Sequence, residues 1–431
     1  MSRVAVVIFL VAILLTVSLS SAQLKIFKNT EKRPYAIPEK VFSSRFVVGD
    51  TSDEARKEVL SKGCEISSEL EDVLIVKCPK SVTSLKSGKR ERIFSAMVLQ
   101  DVNGKEFQPR DIFDSDAINV PAVHELGYTG KNTIVALIDS GIDYNHPNLA
   151  DSYAGGYDFL ANDNDPFYDL GCGFFCGHAT AMAGIITSNG DKISDEDEIG
   201  PFTKGVAPDA KIIVGKVCGE IEEDGISFFG CPEGAIIAAL QWAAKGIDGV
   251  KSTGDEPAVI SMSLGSAETW ISSNCNDDLL AREVNKVGRT VPVVVSAGNF
   301  PFGVSSPACA KNAIAAGAVG GGADWYNTIT DFSGRGYPMK NHGVLAPGVD
   351  VITTFPENSY VIISGTSPSA PYVAGVIALM KEKNPRQTVN SARTAIFRSA
   401  VDLPGSSFVS EEHSFEQGFG RIDALGAINR I

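Results

Sequence analysis

From Ile118 onward, short apolar runs alternate with helical stretches, and no other feature constrains the fold as strongly. Residues 133–138, 212–214, 258–262 and 292–295 are compact runs rich in valine and isoleucine. They lack the polar alternation of half-exposed strands, so they read as strands buried on both faces. Between them, 232–245 predicts a helix with a proline near its start and Gly246 at its stop. Residues 277–287 predict another, and the run after Ser367 a third, with Val373, Val376, Ile377 and Met380 on one face and Asn384-Pro385 ending it. Strand and helix in such alternation imply an α/β fold: a doubly wound, mostly parallel sheet with helices on both faces.

At 431 residues the chain exceeds one average domain, so a large domain with a smaller partner is expected. Against 38 basic residues stand 52 acidic ones, which argues against a nucleic-acid role and against anionic membrane surfaces. Arg3, an apolar run over 4–15 and Ser20-Ser21-Ala22 before Gln23 predict a secretory signal peptide, 1–22. No membrane association is expected once it is removed. A polar leader covers 23–43, a small domain 44–100, a charged and cleavable linker 101–117, and the main domain 118–431. In the small domain, 45–48 reads as a strand, 52–60 as a helix, 73–76 as a second strand and 93–99 as an apolar stretch, with room for only a very short second helix. Eight cysteines in an exported chain suggest disulfides. Pairing by proximity gives Cys64–Cys78, Cys172–Cys176, Cys218–Cys231 and Cys275–Cys309. Cys172, Cys176 and His178 also admit a zinc reading, but no fourth ligand is near. No Asn-x-Ser/Thr sequon occurs, so N-glycosylation is not expected.

The chemistry centres on Ser364-Gly365-Thr366-Ser367-Pro368, which places a hydroxyl at the start of an apolar helix. There a serine is either an ordinary helix cap or a nucleophile whose own N–H faces a developing oxyanion. A nucleophile needs a base, and the base needs an orienting carboxylate. Of the five histidines, His178 opens a small-residue helical segment, Gly177-His178-Ala179-Thr180-Ala181. Asp139 ends the 133–138 run and precedes Ser140-Gly141, at the strand end where open α/β sheets keep their sites. Asp143 and His146 lie close by in sequence and read as structural.

Taken in chain order, Asp139-Ser140-Gly141, Gly177-His178, Ser263-Leu264-Gly265, Ser296-Ala297-Gly298-Asn299 and Ser364-Gly365-Thr366-Ser367 resemble the subtilisin-like serine proteases, from about Asn119 to Gly420. The resemblance implies a secreted or lumenal endopeptidase, monomeric, acting on polypeptides through an acyl-enzyme. Asp139, His178 and Ser367 would be catalytic, with Asn299 donating its amide in the oxyanion hole. Ser263, Leu264 and Gly265 would pair with the substrate as an added strand, and Ala297 and Gly298 would line the opposite wall. The 44–100 region is similar to the family's inhibitory propeptide, an α+β domain serving as intramolecular inhibitor and folding aid, with self-cleavage expected between Leu99 and Ser115. No cofactor is expected for the chemistry. Calcium is a family habit, and Asp163, Asn164, Asp165 and Asp169 suit either a hard cation or a solvated loop.

Two other function classes are kept open. One is a catalytically silent relative that binds peptides. The other, an α/β-hydrolase esterase, is disfavoured because Gly365-Thr366-Ser367-Pro368-Ser369 lacks the second glycine of its elbow. The chain departs from the family at Ala179, where glycine is usual, and at Ala181 and Tyr372, where histidines are usual. Pro368 replaces a methionine; proline restricts the residue before it, so Ser367 is expected to be slightly re-aimed.

Overall fold

Seven parallel strands make the central sheet, ordered Gly343–Pro347, Ala313–Val319, Val293–Ser296, Val259–Met262, Ile134–Asp139, Lys211–Lys216 and Tyr153–Asp158. The computed structural model describes residues 41–86, 88–96, 98–99, 114–170, 173–190, 204–223, 226–320, 327–403 and 414–431. Neighbouring residues of one strand serve opposite faces, as the pleat dictates. Val135 and Leu137 join a core with the helices His178–Thr187 and Ser369–Lys383. Ala136 and Ile138 join a second core with Glu233–Ala243 and Leu279–Val287. A strand with both faces buried has no room for polar alternation, which is why these runs are continuously apolar. The doubly wound α/β architecture expected from the sequence is present.

The N-terminal region forms a second, antiparallel sheet in the order Glu65–Glu69, Leu74–Lys77, Val41–Val48, Gly88–Ala96. Its helix Asp53–Ser61 is capped by Ser52, whose side chain accepts from the Ala55 N–H at 3.2 Å. One face of this sheet packs on that helix through Phe46, Val48, Leu74 and Val76. The other face, through Val47, Ile75 and Phe94, belongs to the core of the large domain. Close approach makes the joint: a Cβ at Gly234 would lie 2.6 Å from Ile75 Cδ1, so glycine stands there. Between Lys77 and Gly88 no helix occurs among the described residues, so the very short second helix expected there is absent. The strand Glu65–Glu69 was not expected, nor was the hairpin Gly219–Glu223 with Ile226–Pro232.

Three of the expected disulfides form: Cys64–Cys78, Cys218–Cys231 and Cys275–Cys309. Cys176 is also disulfide-bonded, and Cys172 lies outside the described residues. A thiol so used is no zinc ligand, and no group of three metal-binding side chains occurs among the described residues, so the zinc reading is withdrawn. No described helix is long and apolar enough to cross a membrane. The signal segment 1–22, the leader to residue 40 and linker residues 101–113 lie outside the described set.

Asp114 opens the short helix Asp114–Ala117 and is buried against Tyr372. Burial, with Asp350 nearby, pushes its carboxyl up to about 8, against the hydrogen bond from Tyr372. A carboxyl whose folded pKa lies above its unfolded value stabilises most at low pH, and that contribution fades as pH rises from about 4 through about 8. Asp114→Asn is therefore expected to flatten the fall of stability over that window, by roughly a kcal/mol per pH unit at the steepest. Thermal melts of both proteins at pH 5 and pH 8 check it. Parallel curves would remove Asp114 as the cause.

Candidate active site

The site lies at the carboxyl edge of the central sheet, where adjacent strands Ile134–Asp139 and Val259–Met262 end together. Ile138 pairs with Met262 in parallel register, and one residue further along the chain come Asp139 and Ser263. Asp139 is 2% exposed and its Oδ1 accepts the N–H of Ser140 at 2.7 Å. The same oxygen lies 2.7 Å from His178 Nδ1, at the first residue of the helix His178–Thr187. A carboxylate only accepts, so Nδ1 is the donor, and in the neutral imidazole that leaves Nε2 as the acceptor. Nε2 is buried and makes no hydrogen bond among the described residues.

Ser367 follows the strand Ser359–Gly365 and precedes the helix Ser369–Lys383. It is tied to Ser263 in both directions. Ser263 Oγ donates to Ser367 O at 2.8 Å, and Ser367 Oγ donates to Ser263 O at 3.3 Å. Acid, imidazole and alcohol are thus gathered at one edge: His178 bonds Asp139, Ser263 directly follows the strand beside it, and Ser367 bonds Ser263. The Ser367 hydroxyl points to Ser263 rather than to His178. Pro368 has φ −61° and ψ −30° at the helix start, where a missing N–H costs nothing. Ala179 does not displace the imidazole, since its N–H is held by Ser140 Oγ at 2.9 Å while the His178–Asp139 bond stands.

Asn299 is held by its carbonyl oxygen, which accepts from Thr366 N at 2.9 Å and from Thr366 Oγ1 at 3.0 Å. Its amide nitrogen is thereby turned away from Thr366, free to donate elsewhere. Gly298 is needed for this turn. Its φ is +101°, and a side chain there would run into Ser305. Asp143 and His146 are structural, as expected: Asp143 accepts from Asn145 N and Glu357 N, and His146 uses both nitrogens, on Asn148 N and Ser359 O.

The strand Gly88–Ala96 lies in the cleft beside this edge. Leu264 and Gly265 pair antiparallel with Ala96 and Ser95. On the other side its partner is the hairpin, with Cys231 opposite Phe94 and Pro232 opposite Ile93. Ala297 and Gly298 do not pair with it; their backbone groups are used by Ala316, Ser305, Thr366 and Gly334. The hairpin carried no sequence signal of this role. Neither did Arg92, which inserts between Glu233, at the start of one helix, and Asp278, the cap of the next.

Three carboxylates of the acidic loop already have partners. Asp169 is taken by Lys216 Nζ at 2.5 Å, Asp165 accepts from Tyr144, and Asp163 accepts from the Asp165 N–H. Lys216 also reaches Asp158 at 3.0 Å and Phe167 O at 3.0 Å, so Asp169 is already paired with an ammonium. The calcium reading of Asp163, Asn164, Asp165 and Asp169 is therefore not pursued.

Residues 130–420 match the family model described as the Subtilase family. The chain belongs to that family. Subtilisin E of Bacillus subtilis (strain 168) is 29% identical over 410 residues, covering 93% of this chain and 94% of its own. Subtilisin of Bacillus pumilus is 32% identical over 297 residues, covering 68% of this chain and 91% of its own. An alkaline protease of Alkalihalobacillus alcalophilus is 32% identical over 302 residues, 68% of this chain and 67% of its own. This subtilase is a serine endopeptidase, its substrates are polypeptides, and its chemistry needs no cofactor.

Proposed function

We propose that the chain is a secreted serine endopeptidase made as a self-processed zymogen, with Asp139, His178 and Ser367 as its triad. Asp139 holds the imidazole in one tautomer and stabilises it when charged. His178 Nε2 takes the proton from Ser367 Oγ as the scissile carbonyl is attacked, then returns it to the leaving amine. The Ser367 N–H and the Asn299 amide receive the oxyanion. Residues 1–22 direct export, and the small N-terminal domain inhibits the enzyme until it is released. Leu264 and Gly265 bind substrate by strand pairing, which depends on backbone and so accepts many sequences. Ala297 and Gly298 shape the floor that positions Asn299.

The observation that carries this reading is the 2.7 Å Asp139–His178 bond beside the Ser263–Ser367 pair. Fluorophosphonate labelling of the processed protein, absent in Ser367→Ala, tests it. A second reading, a peptide-binding subtilase without turnover, is favoured by the Ser367 hydroxyl resting on Ser263 O at 3.3 Å. Catalytic hydrogen bonds often tighten only when substrate binds, which leaves turnover as the stronger reading. A protein that binds peptides but never labels would reverse that order.

Asn299→Leu removes the amide and keeps the bulk. It is expected to lower kcat by about 10²–10³ with KM little changed, a magnitude established on a subtilisin. Steady-state kinetics check this. An equal fall in kcat/KM produced through KM alone would assign Asn299 to ground-state binding.

A further inference from the structure

We infer that the zymogen cuts itself on the carboxyl side of Met97, at the Met97–Val98 bond. This rests on the protease reading above and names the bond on which its activation turns. Met97 itself lies outside the described residues, and the assignment follows from the registers on either side of it.

Upstream, Ser95 lies opposite Gly265 and Ala96 opposite Leu264. The next residue along that wall is Ser263, whose carbonyl oxygen is 3.3 Å from Ser367 Oγ. Downstream, Val98 lies opposite Gly365 and Leu99 opposite Ser364, antiparallel to the strand Ser359–Gly365. That wall runs on through Thr366 into Ser367. The chain is therefore gripped by one wall before residue 97 and by another after it, and both walls end at the nucleophile. Val98 already belongs to the downstream wall and so to the leaving group. The acyl side must end one residue earlier.

The same register names an anchor. Phe94 is 1% exposed and belongs to the core cluster that holds Leu264, Cys231 and Ile236. It fixes the strand three residues before the bond. This cut lies upstream of the 99–115 stretch expected from the polarity of the linker, because backbone pairing rather than exposure decides which bond meets the hydroxyl.

The step balances without further reagents. Ser367 Oγ bonds to the Met97 carbonyl carbon as its proton passes to His178 Nε2. The bond to Val98 N then breaks as that nitrogen takes the proton. Water next attacks the ester, giving the Met97 carboxylate and restoring the Ser367 hydroxyl.

The test is secretion of the full chain followed by terminal sequencing and intact mass of both pieces, with fluorophosphonate labelling in parallel. The expected large piece begins Val98-Leu99-Gln100, and the expected small piece ends in Met97. The small piece separates the first cut from later trimming of the large one. A labelled enzyme whose small piece ends at any other residue overturns the bond assignment and leaves the protease reading standing. A chain that neither labels nor cuts removes both. Phe94→Ala is expected to slow processing roughly tenfold or more with labelling of the processed enzyme retained. An unchanged rate would remove the anchor.

Discussion

Ser367→Ala is expected to accumulate as an uncut chain and to lose about 10⁶ in kcat, the scale found when the nucleophile of a subtilisin is removed. The fold should survive, since Ser367 is held by its backbone: its carbonyl accepts from Ser263 Oγ at 2.8 Å, and only the 3.3 Å hydroxyl contact is lost. The measurement is a gel and mass profile of secreted protein beside peptide hydrolysis, with a thermal melt to show that the variant is folded. A Ser367→Ala chain that is processed by itself, in an expression host lacking other proteases, would take the nucleophile's role away from Ser367. Loss of processing with a collapsed melt would point to folding instead, and His178→Gln would then serve as the second variant.

Arg92→Met is expected to weaken the grip of the N-terminal region on the main domain by about 3–5 kcal/mol, roughly 10²–10³-fold or more in affinity. Arg92 stands between two buried carboxylates. It forks onto Glu233 and reaches Asp278 Oδ2 at 2.6 Å, with their side chains 2% and 4% exposed. Its guanidinium also sits over the Phe94 ring at 5.0 Å. Burial works against the charge, yet Glu233 and then Asp278 hold its pKa above the usual guanidinium value. Burial likewise lifts the Glu233 carboxyl, which Arg92 only partly offsets. These two directions oppose each other, and the short forked contact favours the ionised pair. Removing the cation strands both acids, whereas Arg92→Lys keeps charge but not the fork and should fall between. The check is how much of the cut N-terminal piece stays bound during gel filtration, and how much inhibition persists. Full retention by the methionine variant would show that the apolar contacts of Val47, Ile75 and Phe94 suffice alone.

What the sequence disclosed, and what it hid, follows from how far each feature reaches along the chain. The strands Ile134–Asp139 and Val259–Met262 were legible because a strand covered on both faces is written as an unbroken apolar run. The helix expected from residue 277 begins at Leu279, since two acids stand together and Asp278, not Asp277, turns its carboxylate onto the Ala281 N–H. Glu65–Glu69 stayed hidden because it is an edge strand with only Ile66 half-buried, and its pairing leaves no periodic mark. Asp139 and His178 could be picked out from their places at a strand end and a helix start. Partners such as Ser263 on Ser367, 104 residues apart, and Arg92 on Asp278, 186 residues apart, are set by the fold alone. The partner of Asp169 was hidden for a related reason: nothing near Asp169 in sequence announces Lys216, 47 residues further on.

The described disulfides lie wholly on one side or the other of residue 97, with Cys64–Cys78 before it and Cys218–Cys231 and Cys275–Cys309 after it. Once that link is severed, no described covalent tether joins the two pieces, and the smaller one is held only by its noncovalent contacts. What it leaves behind is two short bared backbone edges, at Cys231–Pro232 and at Leu264–Gly265. A docking groove so exposed welcomes any loose polypeptide, a partly unravelled sister molecule included, so the liberated protease is expected to shorten its own working life.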